Sequence, residues 1–283
     1  MRYLEIPAPR PLARFIECFW SLTGTPGHLS SPPERILPDG CIELIVNLAD
    51  PFRRCHEDGT RETQPLLFVV GQMERYLLVE PTGCVDLLGV RFRPAGALPF
   101  LRLPAHELSG RYVSLDALSP RLSGAITDRL YVIPTIATRL SALEGVLLAW
   151  IRDARPPDAY CEEAVRWILA RRGRDSICGL TRHLGISERM LERRFDESVG
   201  LSPKLFSRII RFQSVFQSAQ QAGPLNWAAV AADCGYYDQA HFIRDFREFS
   251  GQSPAELFSQ AAPLTESFTR ASRASDLYNT RAG

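Results

Sequence analysis

The sequence predicts an α+β protein of two domains, a β-rich N-terminal domain and an all-α C-terminal domain with two helix-turn-helix units. Its 283 residues exceed the ordinary size of one domain. Short apolar runs between Gly, Pro and Asp breaks fill residues 1–133, a pattern typical of strands. Residues 158–262 instead show helical periodicity, with Ser, Asn, Asp and Gly where helices begin and end.

The apolar runs of the first domain, residues 1–133, predict the strands of a sandwich or small barrel. The run from Cys41 to Leu48 follows Pro38-Asp39-Gly40, and Asp-Gly before such a run indicates a hairpin. Further strands are predicted at 66–70, 76–79 and 85–92, and a short helix at 94–101.

A helix and a linker are predicted between the domains, at 134–157. The apolar residues of this helix are spaced 4, 3, 4 and 3 apart: Ile136, Leu140, Leu143, Leu147 and Trp150. A seam of two heptads fits either a helix packed on its own domain or a dimerisation helix, and the sequence leaves both open. The following Arg-Pro-Pro-Asp ends the pattern and predicts the linker.

The C-terminal domain is predicted to be helical throughout. The expected helices are 158–171, 177–184, 188–198, 203–221, 227–233, 239–249 and 254–260. The tail, 263–283, is rich in Ser, Thr, Ala and Arg and is predicted to be a mobile end.

The C-terminal domain contains an internal repeat. Segment 176–185 matches segment 226–235, and both open with a capping residue and close with Gly. After that Gly the offset grows by one residue, Tyr237, and a Gly-x-Ser-Pro string ends each copy. Each copy is therefore a short helix, a turn and a second helix, which is the helix-turn-helix plan.

The second helix of each copy has an apolar face and an opposite face that suits DNA. Counted from the capping residue, the fourth and eighth positions are apolar in both copies. The sixth position lies nearly opposite and is Arg193 in one copy and Arg244 in the other. An arginine there can bridge O6 and N7 of guanine in the major groove, although either arginine alone fits a solvated surface equally well.

The predicted helix 203–221 connects the two units. It would be about 28 Å long, close to the roughly 34 Å between adjacent turns of the major groove. It can therefore hold two reading helices over one face of a duplex. Its polar face carries Lys204, Arg208, Gln213, Gln217, Gln220 and Gln221, of which we expect the glutamines to be solvated.

The charge balance gives nucleic-acid binding no support by itself. The net charge is +1, with 17 basic and 17 acidic residues in 1–155 and 13 of each in 156–262. DNA binding would have to depend on local geometry. We expect modest non-specific affinity, because carboxylates oppose the neutralisation of phosphates.

Two strings of residues in the C-terminal domain form motifs that are specific enough to compare with known families. The first is Leu184-Gly185-Ile186-Ser187 followed by Leu191, Arg193 and Phe195, and the second is Cys234-Gly235-Tyr236 followed by Asp238 to Phe242, Arg244 and Phe246. With them, residues 158–262 resemble the DNA-binding domain of the AraC/XylS transcriptional regulators. The resemblance implies two helix-turn-helix units in successive major grooves of double-stranded DNA, and RNA polymerase as a further partner.

The same resemblance implies which residues contact bases. They are Arg189, Glu192 and Arg193 in the first unit, and Gln239, Ala240, His241 and Arg244 in the second. Glu192 would accept a hydrogen bond from cytosine N4, and Ala240 can offer only an apolar contact, such as to a thymine methyl group.

The N-terminal domain resembles, less closely, the uncharacterised domain fused to many AraC-type regulators. The strings are 37–45, Leu-Pro-Asp-Gly-Cys-Ile-Glu-Leu-Ile, and 89–96, Gly-Val-Arg-Phe-Arg-Pro-Ala-Gly. The resemblance implies a cupin-like fold that senses a small-molecule effector and forms a homodimer. A pocket lined by alternate residues of a barrel would suit an effector, and an interaction domain without a ligand stays open. Four polar residues near strand ends are expected in surface ion pairs or turns: Asp39, Glu43, Arg91 and Arg93.

An enzyme with a DNA-binding tail is the alternative. A metal-dependent cupin needs clustered histidines, whereas His28, His56 and His106 lie far apart. A methyl-acceptor repair protein needs a zinc-held thiolate among four close cysteines, and the N-terminal cysteines, 18, 41, 55 and 84, are scattered. We therefore predict no catalytic residue, no metal and no cofactor. Seven cysteines without a Cys-x-x-Cys motif also argue against a disulfide framework.

The sequence predicts a cytoplasmic protein without a membrane partner. It contains no run of 18 apolar residues, and its N-terminus lacks the apolar core of a signal peptide.

Overall fold

The computed structural model describes residues 1–24, 33–133, 135–152, 156–221 and 226–259. The predicted mobile tail, 263–283, lies outside these ranges, as do His28 and part of the predicted linker. The side chains of Gln220 and Gln221 also lie outside the described part.

The N-terminal domain contains two antiparallel sheets. Its strands are β1 (Arg2–Pro7), β2 (Ile16–Gly24), β3 (Glu34–Ile36), β4 (Glu43–Asn47), β5 (Phe52–Cys55), β6 (Arg61–Thr63), β7 (Leu67–Val70), β8 (Leu77–Pro81), β9 (Val85–Phe92) and β10 (Tyr112–Ser114). One sheet has the order β1-β2-β9-β4-β7-β10, and the other has the order β3-β8-β5-β6. Each apolar run that was predicted to be a strand overlaps one: β4, β7, β8 and β9.

The turn at 38–40 corrects the predicted hairpin. It leads from β3 in one sheet to β4 in the other, so its flanking strands do not pair. The Asp39 carboxylate accepts a hydrogen bond from the Cys41 amide at 2.9 Å, and Gly40 has a φ of +82°. A Cβ at Gly40 would lie 2.6 Å from the ring of Phe206 in the C-terminal domain. The glycine therefore serves the change of sheet and a close contact between the domains.

Helices follow the strands of the N-terminal domain. They are α1 (Leu98–Leu101), a 3-10 helix (Ala105–Leu108), α2 (Leu115–Leu118), α3 (Pro120–Leu130) and α4 (Ile136–Trp150). The short helix predicted at 94–101 is α1, and the helix predicted in the linker region is α4. Helix α3 was not predicted from the sequence, although it starts with Pro at its first position and buries residues four apart, Leu122, Ile126 and Leu130.

The apolar seam of α4 packs on its own domain. Leu140, Leu143 and Leu147 are buried in the same core as the residues of the larger sheet. Trp150 donates a hydrogen bond from Nε1 to the carbonyl oxygen of Phe100 at 3.1 Å. Of the two interpretations of this helix, packing within the chain is the one that the structure shows.

The C-terminal domain consists of seven helices in its described residues. They are α5 (Ala159–Ala170), α6 (Ile177–Leu184), α7 (Glu188–Val199), α8 (Pro203–Gln221), α9 (Trp227–Asp233), α10 (Gln239–Ser250) and α11 (Pro254–Ser259). Each differs from its predicted range by at most one residue at either end, because the start and stop signals are local in the sequence.

The two domains share a packed interface. Leu37 and Ala95 of the N-terminal domain belong to the core cluster of the C-terminal domain. Gln213 of α8 donates from Nε2 to the carbonyl oxygen of Pro38 at 2.5 Å. The Arg14 guanidinium makes two hydrogen bonds to Glu162, at 2.9 and 2.8 Å. The prediction that the α8 glutamines are solvated is therefore wrong for Gln213, because the other domain covers it.

Candidate nucleic-acid interface

The first helix-turn-helix unit comprises α6 and α7. The hydroxyl of Ser176 accepts from the amide of Gly179 at 3.1 Å and so caps α6. Gly185 ends α6 with a φ of +66°. The hydroxyl of Ser187 accepts from the amide of Met190 at 3.2 Å and starts α7. Caps at both starts and a left-handed residue between them fix the turn angle of the unit.

The second unit comprises α9 and α10 and follows the same plan. The Asn226 side chain accepts from two amides at the start of α9, and Asp238 accepts from the amide of His241 at 2.7 Å. In this unit Cys234 is the C-terminal cap of α9, and the glycine with a positive φ, Gly235, follows it. The additional residue, Tyr237, is 92% exposed and projects from the turn.

Phenylalanines fix both second helices to α8. The ring of Phe195 in α7 lies 5.5 Å from that of Phe206 in α8. The ring of Phe246 in α10 lies 5.1 Å from that of Phe212 in α8. All four rings are fully buried, and Phe195 and Phe246 occupy matching positions of the repeat. The long helix therefore determines the orientation of α7 and α10 relative to each other.

The faces of α7 and α10 opposite these phenylalanines are open. The predicted base-contacting residues on these faces that are exposed are Arg189, Glu192, Arg193, Gln239, Ala240 and Arg244. These six residues form two separate groups, one on α7 and one on α10. The groups correspond through the repeat, since Arg193 and Arg244 hold the same position.

His241, the remaining predicted contact, is only partly exposed. Its Nε2 lies 3.7 Å from a carboxylate oxygen of Asp245 one turn later in α10. The edge of its ring meets the ring of Tyr236, with 5.3 Å between centroids. These contacts orient the imidazole at the border of the open face.

An ion-pair network that sequence analysis missed ties α10 to α8. The Asp245 carboxylate is almost fully buried, and Nη2 of Arg208 lies 2.9 Å from it and 2.6 Å from Glu248. Burial alone would lower the pKa of Arg208, but its hydrogen bonds to the two carboxylates raise it above its ordinary value. The sequence feature that could have predicted this network is Asp245, an acidic residue next to the buried Phe246. A carboxylate at a buried position requires a cationic partner.

The N-terminal domain contacts the ends of both second helices. The His106 imidazole lies 3.2 Å from the Asp196 carboxylate near the end of α7. A Cβ at Gly200, which ends α7, would lie 2.8 Å from the carbonyl oxygen of Ala105. A Cβ at Gly251, which ends α10, would lie 2.4 Å from the ring of Tyr76. Both contacts leave the open faces of the helices uncovered.

Three of the four polar residues predicted near the strand ends, Asp39, Glu43 and Arg91, form a largely buried ion-pair cluster, which corrects the expected surface location. Asp39 also caps the turn at 38–40 as expected. The fourth, Arg93, donates from Nε to the carbonyl oxygen of Ala13 at 2.6 Å. Arg91 is 2% exposed, with Nε 2.8 Å from Glu43 and 3.5 Å from Asp39, and Nη1 3.1 Å from Glu5. Glu43 and Arg91 are register partners of β4 and β9, so their side chains share one face. Burial raises the pKa of Glu43 to about 7, although Arg91 opposes the shift.

Among the described residues, the histidines and cysteines form no cluster. Cys18 and Cys41 are buried, Cys55 is half-buried and Cys84 is exposed. Within the described ranges, no three His, Cys, Asp or Glu side chains are placed to hold a metal ion. Among the helices of the same ranges, none is both long and apolar enough to cross a membrane.

Comparison with known families gives two matches. Residues 4–114 match a domain of unknown function (DUF6597), and residues 180–260 match a helix-turn-helix domain. A search of curated proteins finds no match.

Solved structures give further similarities. A probable AraC family transcriptional regulator from Rhodopseudomonas palustris is 31% identical over 38% of this chain and 100% of its own, with a TM-score of 0.33. ToxT from Vibrio cholerae is 10% identical over 85% of this chain and 97% of its own, with a TM-score of 0.44.

The R. palustris match covers that whole chain at an identity that indicates common descent, and the helix-turn-helix match falls on α6 to α11. This chain belongs to the AraC family of DNA-binding transcriptional regulators.

Proposed function

We propose that this regulator reads one DNA site with two helices, α7 and α10 entering successive major grooves on one face of the duplex. The observation that carries the proposal is the pair of matched arginines, Arg193 and Arg244, exposed on helices that α8 holds in fixed orientation. The 19 residues of α8 span about 28 Å, which suits grooves roughly 34 Å apart.

The base contacts would divide between the two helices. Arg193 and Arg244 would each bridge a guanine, and Arg189 and Gln239 would donate to base acceptors nearby. Glu192 would accept from cytosine N4, and Ala240 would contact a thymine methyl group. His241 would read a base at the border of the face, with its ring oriented by Asp245. Amides at helix starts and further arginines would position the domain on phosphates.

The N-terminal domain would modulate this reading. Its contacts with Gly200 and Gly251 reach both reading helices, so a change in that domain can alter their placement. We propose that a small effector or homodimerisation supplies the change, that RNA polymerase is a partner, and that the protein acts in the cytoplasm. Homodimerisation would use a surface other than the seam of α4, which is buried.

A non-enzymatic role fits the cysteines better than methyl transfer. A methyl-accepting cysteine must be a thiolate, which requires a lowered pKa. Burial raises the pKa of the Cys18 and Cys41 thiols. At both cysteines, burial would therefore oppose formation of the thiolate that methyl transfer requires.

Binding of fragmented genomic DNA followed by sequencing tests the proposal. The wild-type chain should enrich fragments that share two short motifs about one helical turn apart. The Arg193→Ala, Arg244→Ala double variant should lose the enrichment. Arg121→Ala, Arg129→Ala removes two exposed arginines of α3 and should keep it. Equal loss in both double variants, or enrichment of single motifs, would contradict the proposal.

A further inference from the structure

A cavity of about 640 Å³ lies between the two domains. Its N-terminal wall includes Glu17, Asp39 and Ala95, and its C-terminal wall, from α5 and α8, includes Val165, Ile210 and Gln213. The volume falls within the range of sites for small organic ligands, and the lining combines apolar residues with charged and amide side chains. A ligand here would contact both domains at once.

The inner wall of the cavity and the layer behind it together hold more acidic than basic groups: Glu17, Asp39, Arg91 and Arg93 line the cavity, and Glu5 and Glu43 lie behind them against Arg91. Four carboxyl groups, those of Glu5, Glu17, Asp39 and Glu43, surround the guanidinium groups of Arg91 and Arg93. Arg91 lies within 3.5 Å of three of these carboxylates, but not of Glu17. With all groups ionised, two negative charges are therefore left uncompensated in a region removed from water.

Glu17 is the carboxyl group with the weakest compensation. Its one hydrogen bond among the described residues comes from the thiol of Cys41, at 3.9 Å. No basic side chain in the described ranges lies within ion-pair distance of it. Burial raises its pKa, and Arg91 and Arg93 only partly oppose the shift. The carboxyl group would gain from a cationic hydrogen-bond donor.

The side-chain amide oxygen of Gln213 is a second hydrogen-bond acceptor to which no described group donates. This side chain is 93% buried and lines the cavity. Its amide nitrogen donates to the carbonyl oxygen of Pro38 at 2.5 Å, which fixes the other end of the amide as the oxygen. That oxygen has no hydrogen-bond partner among the residues that the structure describes. A buried amide oxygen in this state favours a ligand that carries N–H groups.

The arginines near the cavity mouth do not make an anion site. Arg14 is bound to Glu162 through two hydrogen bonds, and Arg166 pairs with Glu163. Arg172 is exposed to solvent, where its charge is screened. The uncompensated charge is thus the negative one at the inner wall and in the layer behind it.

From these observations we infer that the cavity between the domains binds a small organic cation, an amine with an apolar body, through Glu17 and Gln213. The ammonium group would donate to the Glu17 carboxylate and the Gln213 amide oxygen, while the body would lie against Ala95, Val165 and Ile210. Because both domains form the site, binding changes the affinity for DNA. This coupling rests on the proposed DNA-reading function; the amine site does not.

Calorimetric titration of the full chain with matched probes tests the site. Tyramine, 4-ethylphenol and 4-hydroxyphenylacetate share a phenol ring and differ in charge. A panel of arylalkyl and alkyl primary amines of similar size extends the first probe. We expect at least one amine to bind with a Kd below about 1 mM, and its matched neutral and anionic analogues to bind at least about tenfold more weakly.

Variants locate the binding. Glu17→Gln should weaken amine binding at least about tenfold, and Ala95→Trp, which fills the cavity, should abolish it. Asp128→Asn removes an exposed carboxylate on α3 and should leave it unchanged. Absence of amine binding across the panel, preference for the neutral or anionic analogue, or full amine affinity in Glu17→Gln would overturn the inference.

Titration of the enriched DNA site, with and without saturating amine, tests the coupling. We expect the Kd for DNA to change at least about threefold, and the DNA to change the Kd for the amine by the same factor. Equal Kd values would overturn the coupling. Amine binding without specific DNA binding would reject the DNA-reading proposal alone, whereas specific DNA binding without amine binding would reject the amine site alone.

Discussion

The hydroxyl group of Ser109 donates a hydrogen bond to the carbonyl oxygen of Gly200 at 2.5 Å, across the boundary between the two domains. Gly200 ends the reading helix of the first unit. Its repeat partner, Gly251, ends the reading helix of the second unit and lies against Tyr76 of the N-terminal domain. Two matched positions of the repeat thus serve as contacts for the same neighbouring domain, which links that domain to both reading helices.

Gly200→Ala should lower the free energy of unfolding by more than the cost of its positive φ alone, because the new Cβ would also clash with the N-terminal domain. The residue has a φ of +85°, which costs a side-chain-bearing residue roughly 1–2 kcal/mol. Its Cβ would also lie 2.8 Å from the Ala105 carbonyl oxygen. Gly185→Ala is the matched control, because Gly185 has a φ of +66° with nothing within 4 Å of a Cβ. Urea unfolding should show the larger loss for Gly200→Ala, and equal losses would contradict the close contact.

Arg193→Ala should weaken binding to the target site by about 1–3 kcal/mol and relax specificity at one base position. The expected cause is the loss of a bidentate contact to guanine. Fluorescence anisotropy on the target site and on single-base variants measures both effects. If the variant bound all sequences more weakly by the same factor, Arg193 would contact phosphate and the assignment to a base would be wrong.

Non-specific DNA binding should depend weakly on salt. Residues 156–262 carry 13 basic and 13 acidic residues, so few phosphates can be neutralised without opposition from carboxylates. The slope of log K against log salt should correspond to only a few released counterions. Titrations between 50 and 200 mM salt on a duplex lacking the motif measure it. A slope like that of a strongly basic DNA-binding protein would contradict this expectation.

Glu17→Gln should stabilise the chain increasingly as pH rises above the ordinary pKa of a glutamate side chain, roughly 4.3. Burial raises the pKa of Glu17 in the folded chain, so the folded chain retains this proton to higher pH than the unfolded chain. The stability that protonation provides is complete below the unfolded pKa and is lost as pH rises through the folded pKa. Glutamine removes this loss. Urea unfolding at several pH values measures the difference, and Asp128→Asn should show no such trend.

Arg208→Met should destabilise the second reading helix. The change leaves the buried Asp245 carboxylate without its guanidinium partner, which we expect to cost about 2–4 kcal/mol after allowance for the partial exposure of Arg208. Arg247→Met, an exposed position on α10, is the control. In the DNA-binding assay, Arg208→Met should lose the second half-motif before the first. Equal stability of the two variants would contradict the proposed tie between α8 and α10.

The sequence predicted the C-terminal helices closely because their signals are local. Ser187 and Asp238 cap the helices that they were expected to cap, and the matching of Phe195 with Phe246 follows from counting alone. The faces of the reading helices were predictable for the same reason: a 3.6-residue period places Arg193 opposite a buried seam.

The errors concern contacts between distant parts of the chain. Arg91 was expected on the surface, but strand register places it beside Glu43, which is 48 residues earlier, and burial follows. Gln213 was expected in solvent, but it meets Pro38, which is 175 residues earlier. The Asp-Gly turn was read as a hairpin because the sequence does not show that β3 and β4 belong to different sheets. Local patterns carry no information on these pairings.

A change in half-motif spacing tests the central claim, two reading helices held by one rigid connector, most directly. The measurement is the Kd of the full chain for the enriched site and for a site with about 5 bp inserted between the half-motifs, which rotates one half-motif to the opposite face of the duplex. The account predicts that the insertion raises the Kd to that of a site with one half-motif. An unchanged Kd would show that the two helices bind independently and would contradict the account.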